Sequence, residues 1–192
     1  MSDSEFKEHD FEHPSILFIL EDKLKVLLGE PLFYTPYYRT FGLQGNENVL
    51  DFGCGGGVGS RCLANLLKDG HLTCVDVSQY WIEKSRKRLR KYSNVECKAG
   101  DIREMDIPDS SFDVISTIHV IHDIHPRDRQ GTINALSRKL KPGGILFIKE
   151  RIEKSHGMPV EEIRASFSSA DLKEIEHKKT KSEYMGIYQK SN

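Results

Sequence analysis

The chain has 192 residues of which 38% are apolar, enough to bury one sizeable core and hardly two, so a single domain over 1–192 is expected. Lys and Arg total 28 against 29 Asp and Glu, so no net field draws the whole chain to nucleic acid or anionic lipid, and such a partner would need a local patch. Cys54, Cys62, Cys74 and Cys97 show no CxxC spacing and read as reduced thiols of a cytoplasmic protein, while the longest early apolar run, "ILFIL" at 16–20, is far short of the ~20 residues that cross a bilayer.

Residues 1–45 differ in kind from the rest. "ILFILEDKLKVLL" suits one helix, and "PLFYTPYYRTFGL" is aromatic and broken by prolines. Such a segment most often packs on the core; the alternative is a lid over a ligand crevice with Tyr34, Tyr37, Tyr38 and Arg39 facing it, and the sequence does not choose. From residue 46 onward, short β-branched runs alternate with amphipathic ones, the pattern of βα units on a mostly parallel sheet. Strands are predicted at 48–53, 72–77, 95–102, 112–117 and 144–150, with helices at 57–68, 78–92, 127–140 and 159–169. "KPGG" at 141–144 stops the third of these helices, and "DLKEIEHKKT" with "SEYMGIYQK" reads as a closing antiparallel hairpin.

The first strand runs into "VLDFGCGGGVGS", with five glycines between Gly53 and Gly59. A turn like this can seat a pyrophosphate, a nucleoside sulfonium or nothing. The dinucleotide fingerprint needs glycines at i, i+2 and i+5, and the third position is Val58, Ser60 or Cys62 in the three possible frames. What remains is the acid Asp51 inside the strand and Gly53-Cys54-Gly55, where absent side chains admit a ligand to the backbone; amides at the start of the next helix suit a carboxylate. This glycine density argues against a plain turn. Asp76 ends the second strand and is placed to reach a ribose, where a 2′-phosphate would be repelled; Asp101 ends the third and suits the exocyclic amine of a purine, with Ile102 offering its amide and Val77 its apolar face.

In order and spacing, "VLDFGCGGG", "VDVS", "AGDI", "FDVISTIHVIHDI" and "LKPGGILFIKE" resemble the motifs of class I S-adenosylmethionine-dependent methyltransferases, especially the small-molecule branch that includes quinone-biosynthesis enzymes. The resemblance covers roughly 46–151. It implies an α/β fold, a Rossmann-like doubly wound seven-stranded sheet, mostly parallel with an antiparallel last strand. It implies S-adenosyl-L-methionine as cofactor, held by Asp51, Gly53, Cys54 and Gly55 at its methionine end, Asp76 at the ribose, and Asp101 with Ile102 at the adenine, with Thr117 and Ile118 lining the sulfonium.

"IHVIHDIHP" sets His119, His122 and His125 just after the fourth strand. His119 is the better candidate for contact with an acceptor, and His122 for support or general-base work. If the segment is helical these two share a face, which with Asp123 makes a metal pair conceivable; packing or proton transfer is preferred, and no metal is assigned. "STIH" lacks the Asn-or-Asp-Pro-Pro-aromatic sequence of enzymes that methylate DNA bases. The cations of "EKSRKRLRKYS" read as the solvated side of an amphipathic helix, so nucleic acid is disfavoured as a partner, as is a membrane. The expected activity is methyl transfer to a small-molecule acceptor; the alternatives are an RNA or protein acceptor, or a cofactor-binding regulatory module without turnover. The acceptor and the oligomeric state are not written in the sequence.

Overall fold

Each of the seven β-branched or alternating runs is a strand in the computed structural model, which describes residues 10–153 and 156–192. The strands make a seven-stranded, mostly parallel sheet flanked by helices, with the last strand antiparallel. Two compact units divide the chain, Asp10–Asp101 and Ile102–Asn192.

The first unit opens with α1 (Ile16–Leu24), whose N-cap Ser15 accepts from the Phe18 amide, then a π-helical stretch Lys25–Tyr34, then α2 (Thr35–Arg39). The prolines do not break this segment as the sequence suggests. Pro31 lies inside the wider π turn, where the Thr35 N–H reaches back five residues to the Glu30 carbonyl, and Pro36 sits in the first turn of α2, where no intrahelical N–H is needed. Its packing on the core is partial, with Tyr38 and Phe41 buried. Ile16, Leu17, Leu27 and Phe33 are exposed, and the segment is held instead by buried Asp22, which accepts from Arg88, and by Tyr38, which is fully buried and stacks with Tyr34 at 6.3 Å. Arg39 is exposed and Tyr37 packs edge-on against Phe41.

Three parallel strands follow in spatial order β3-β2-β1, namely β1 (Asn48–Phe52), β2 (His71–Asp76) and β3 (Val95–Ala99). Val49, Leu50, Leu72, Cys74 and Val75 are all fully buried, and Asp51 and Thr73 between them are buried too, so β1 and β2 are strands covered on both faces. The register pairs Phe52 with Val75 and Asp76 with Ala99, so the three carboxyl ends finish at one edge. Between the strands lie α3 (Val58–Leu66) and α4 (Gln79–Leu89); Ser78 caps α4 by accepting from the Trp81 amide, and Ile82 and Leu89 form its buried face.

The second unit holds β4 (Phe112–Ile118), α5 (Pro126–Lys139), β5 (Leu140–Arg151), α6 (Val160–Ser168), β6 (Leu172–Lys179) and β7 (Glu183–Lys190), the strands ordered β4-β5-β7-β6. β4 and β5 are parallel, and β7 runs antiparallel to β5 and β6, closing the predicted hairpin. "KPGG" does end α5, yet the extended chain begins upstream of it at Leu140. The register jumps there from Leu140 opposite Phe112 to Ile145 opposite Val114, which absorbs Pro142 and the positive-φ Gly143 as a bulge. Among the described residues no helix is long and apolar enough to cross a membrane.

Two glycine substitutions separate conformational need from mere presence. Gly57 has φ 77° and a Cβ there would stand 2.5 Å from Ser85 Oγ, so Gly57→Ala should destabilise the fold by at least about 1–2 kcal/mol. Gly131 lies inside α5 with only the Arg103 side chain near, at 3.5 Å, so Gly131→Ala should stabilise by about 0.5–1 kcal/mol. Urea unfolding of both variants reads the two signs.

Candidate functional site

The chain leaves β1 through a turn strapped to the end of β2. The N–H groups of Gly53 and Cys54 both donate to the Val75 carbonyl, at 2.8 and 3.1 Å, and the Gly55 N–H donates to Asp76 Oδ2 at 2.8 Å. Residues 53–55 are half-buried, whereas 56–60 are buried. At Gly55, with φ 49°, an added Cβ would meet nothing within 4 Å, so the backbone stays open to approach. The other glycines have a different cause. A Cβ on Gly56 would strike Asp22 and Arg88, and one on Gly59 would strike the Tyr38 hydroxyl at 2.7 Å. Part of the glycine density that the sequence analysis assigned to a ligand is therefore demanded by packing against α1, α2 and α4.

Asp51 is buried and accepts from Ser60 Oγ at 2.6 Å. Asp76 is half-buried and accepts the Gly55 and Ser78 amides, one on each oxygen, which leaves further lone pairs on both. Burial lifts its carboxyl above the usual range, against the lowering pull of those two amides, and neighbouring Glu12 lifts it further. The Gly100 N–H donates to the Asp76 carbonyl at 2.9 Å, which brings half-buried Asp101 to the same edge. Beside Asp76, Val77 is 58% exposed. Three acids, a reachable stretch of main chain and one apolar side chain thus gather at the carboxyl edge of three adjacent strands. Cys54 stands among them with its thiol above the ordinary value: a hydrogen bond with Cys74 pulls it down, and burial with the carboxylates of Asp76 and Asp51 outweighs that.

Glu12, which the sequence analysis passed over, accepts the Gln79 amide at 2.6 Å and the Tyr80 amide at 3.3 Å, while the Phe11 carbonyl accepts from Ser78 Oγ. A carboxylate on the first turn of α4 is what the helix dipole favours, but nothing in the spacing of residues 67 apart announces it. The basic face of α4 is partly used up internally. Arg88 holds Asp22 and the Gly56 carbonyl, Arg86 donates to the Cys97 carbonyl, and Lys84 lies 4.8 Å over the Trp81 ring.

In the second unit, Ile102 and Thr117 are fully buried and Ile118 is half-buried. The hydroxyls of Ser116 and Thr117 have no hydrogen-bond partner, a cost of about 1–3 kcal/mol each where water is excluded. Immediately after β4, His119 adopts φ 55°, the left-handed region that a non-glycine residue enters at a cost of roughly 1–3 kcal/mol. Its N–H donates to the Lys149 carbonyl at 2.7 Å and its Nε2 lies 3.0 Å from Glu183 Oε1. His122 sits on a short 3-10 turn, Ile121–Asp123, so His119 precedes the turn and the two do not share a helical face; their ring centres are 6.4 Å apart. His122 is buried, with Nδ1 2.5 Å from Oε2 of fully buried Glu150, whose Oε1 accepts the Val120 and Ile121 amides at 2.8 Å each. His125 caps α5, its ring nitrogen accepting from the Arg127 amide. Glu150 and Glu183 come from β5 and from the start of β7, partners that only the sheet register brings to the histidines. A separate open recess of about 400 Å³, lined by Arg164, Glu174 and Tyr188 among others, contains none of these residues.

Residues 49–144 match a family described as a methyltransferase domain. A tRNA N(3)-cytidine methyltransferase of Danio rerio is 31% identical over 136 residues, 65% of this chain and 38% of that protein. A carboxy-S-adenosyl-L-methionine synthase of Pseudoalteromonas translucida is 31% identical over 115 residues, 57% of this chain and 47% of that one, and a demethylmenaquinone methyltransferase of Tropheryma whipplei is 29% identical over 112 residues, 58% and 45%. The chain spans less than half the length of these relatives. Among solved structures, a SAM dependent methyltransferase from Aquifex aeolicus superposes with a TM-score of 0.71 at 21% identity, covering 83% of this chain and 90% of the other. The [4+2]-cyclase SpnF gives 0.69 at 18%, covering 78% and 76%. At such identities the likeness is one of fold.

The His119 environment makes a pH prediction. Burial depresses its imidazole below the ordinary 6.5, and the raising influence of Glu150 and Glu183 is the weaker one, since Lys149 already pairs with Glu183 at 3.2 Å. The unfolded chain therefore binds this proton at a higher pH than the folded one, so stability contributed by neutral His119 is intact above about 6.5 and falls as pH drops through the lower folded value. Unfolding free energy measured across that window should decline with acid, and His119→Gln should flatten the decline. An unaltered slope in the variant would assign the decline to other groups.

Proposed function

The chain belongs to the methyltransferase domain family, and from that premise we propose that it transfers a methyl group from S-adenosylmethionine to a small-molecule acceptor in the cytoplasm. The observation that carries the reading is the edge of the first unit, where Asp51, Asp76 and Asp101 end successive strands around the reachable turn 53–55. These residues fit that cofactor better than a phosphate. Asp76 would accept from ribose hydroxyls with the lone pairs its two amides leave, and Asp101 from the adenine amine, while exposed Val77 packs on the ring. The amides of Gly53, Cys54 and Gly55 are already committed to Val75 and Asp76, so the turn has no N–H group of these three to give a carboxylate. Its carbonyl oxygens, each with two lone pairs, keep capacity for an ammonium group even where Cys54 accepts from the Gly57 N–H. An anionic pyrophosphate would meet acids and occupied donors there.

When bound, the cofactor supplies an electrophilic methyl on a sulfonium, so the protein's task is alignment of a nucleophile and removal of its proton where it has one. His119, kept neutral by burial, is the residue we assign to proton removal. His122, locked by Glu150, positions the turn that follows His119. An RNA acceptor is the second reading, favoured by the relative from Danio rerio that acts on tRNA cytidine. Against it, Arg86, Arg88 and Lys84 are engaged within the chain. A third reading, cofactor binding without methyl transfer, is kept open by the cyclase that shares the fold.

Thermal unfolding with S-adenosylmethionine, S-adenosylhomocysteine and NAD separates the cofactors, because a ligand at a hundred times its Kd stabilises by ~2.7 kcal/mol. Stabilisation by NAD alone would reverse the assignment. Asp76→Ala should weaken S-adenosylhomocysteine binding by about 1.5–3 kcal/mol, the range for hydrogen bonds to a charged group; an unchanged Kd in calorimetry removes Asp76 from the site. Release of S-adenosylhomocysteine across metabolite and RNA panels identifies the acceptor class, and tight cofactor binding without release in either panel supports the third reading.

A further inference from the structure

Three side chains of the second unit converge on one carboxylate oxygen. His122 Nε2 lies 3.5 Å from Asp123 Oδ1, His156 Nε2 lies 3.4 Å from the same oxygen, and the three ligand atoms all fall within 4.8 Å of one another. Asp123 Oδ1 is buried, yet it makes no hydrogen bond. A carboxylate oxygen withdrawn from water and left without a donor is costly, so a cation or a proton belongs among these atoms.

The separations favour the cation. Glu150 Oε1 accepts two amide N–H groups, and its Oε2 stands 2.5 Å from His122 Nδ1, which makes Nδ1 the donor, so that in the neutral imidazole the lone pair of Nε2 faces Asp123. Two electron-pair donors facing each other repel unless a positive charge lies between them. Ligand atoms around a tetrahedral ion with bonds of about 2.0–2.1 Å are about 3.3–3.4 Å apart, close to the two separations from Asp123 Oδ1, which are longer than a good hydrogen bond. A buried carboxylate holding the far nitrogen of a histidine is also the arrangement that orients metal-ligating imidazoles. The turn is braced independently, since buried Arg129 donates to the carbonyls of His122 and Ile124, both at 2.9 Å, and to Glu162 at 2.8 Å.

We propose that His122, Asp123 and His156 form a site for a divalent transition-metal ion of the zinc type, with Glu150 orienting His122. Three protein ligands leave one position for water or for the anionic oxygen or sulfur of a bound molecule. The proposal differs from the sequence-based expectation of no metal, in which His119 and His122 were the conceivable pair with Asp123; His156 lies 34 residues beyond His122, out of reach of any local spacing. It stands apart from the methyl-transfer reading, because its test needs no cofactor.

The test is titration of the full chain with Co²⁺ alone, read by ligand-field absorption in the visible, followed by displacement with Zn²⁺. The chain should take up one equivalent with tetrahedral absorption that Zn²⁺ abolishes. Asp123→Ala and His156→Ala, at positions that are half-buried or exposed and so spare the core, should each weaken binding by more than about 100-fold, and Glu150→Gln by about 10–100-fold. His177→Ala, at an exposed histidine on β6, should leave the titration unchanged. Absence of Co²⁺ uptake by the unaltered chain, or equal binding by the Asp123→Ala, His156→Ala and unaltered proteins, would overturn the proposal and leave a shared proton as the link between His122 and Asp123.

Discussion

Asp76 is where the first unit is tied together. One carboxylate takes the amide of Gly55 on one oxygen and that of Ser78 on the other, while its own carbonyl takes the amide of Gly100. The glycine turn, the start of α4 and the end of β3 are therefore all fixed relative to a single residue at the end of β2. A short polar side chain at a strand end would usually be solvated. Here it is half-buried, and its two amide donors compensate part of the loss of water. The same oxygens retain lone pairs, so the residue that organises the edge is also the one able to accept from a ligand.

Glu150 plays the corresponding part in the second unit. Fully buried at the end of β5, it receives two consecutive amides and a histidine, and so dictates the path of the chain after β4. His119 is held in a left-handed conformation just before those amides, and His122 is fixed in tautomer and rotamer just after them. Strain at His119 and rigidity at His122 thus share one cause, and together they hold polar side chains ready at a strand end without requiring them to move.

How much of this was legible in the sequence depends on the range of the interaction. The strands at Asn48–Phe52 and His71–Asp76 were visible because both faces are covered and, Asp51 and Thr73 apart, their interiors are apolar. α4 was visible because Ile82 and Leu89 repeat at helical spacing and Ser78 caps it. Asp51, Asp76 and Asp101 could be placed at strand ends because parallel pairing in a short βα repeat aligns those ends. The partners of the histidines were not legible. Glu183 is 64 residues from His119 and Glu150 is 28 from His122, and no periodicity connects residues brought together only by register. The glycine turn misled for a related reason: Gly56, Gly57 and Gly59 are required by Asp22, Arg88, Ser85 and Tyr38, contacts made by other elements, so local density overstated the ligand's share. Proline was likewise read as a break at Pro31, where a π turn accommodates it.

The central claim is that the strand edge organised by Asp76 receives an adenosine bearing an amino-acid tail. Titration of the isotope-labelled protein with S-adenosylhomocysteine, followed by backbone amide resonances, examines that edge residue by residue. The account predicts saturable shifts concentrated at Gly53, Cys54, Gly55, Val77 and Asp101, with the amides of β6 unmoved. Saturation with the strand-end resonances in place and the shifts elsewhere would contradict it.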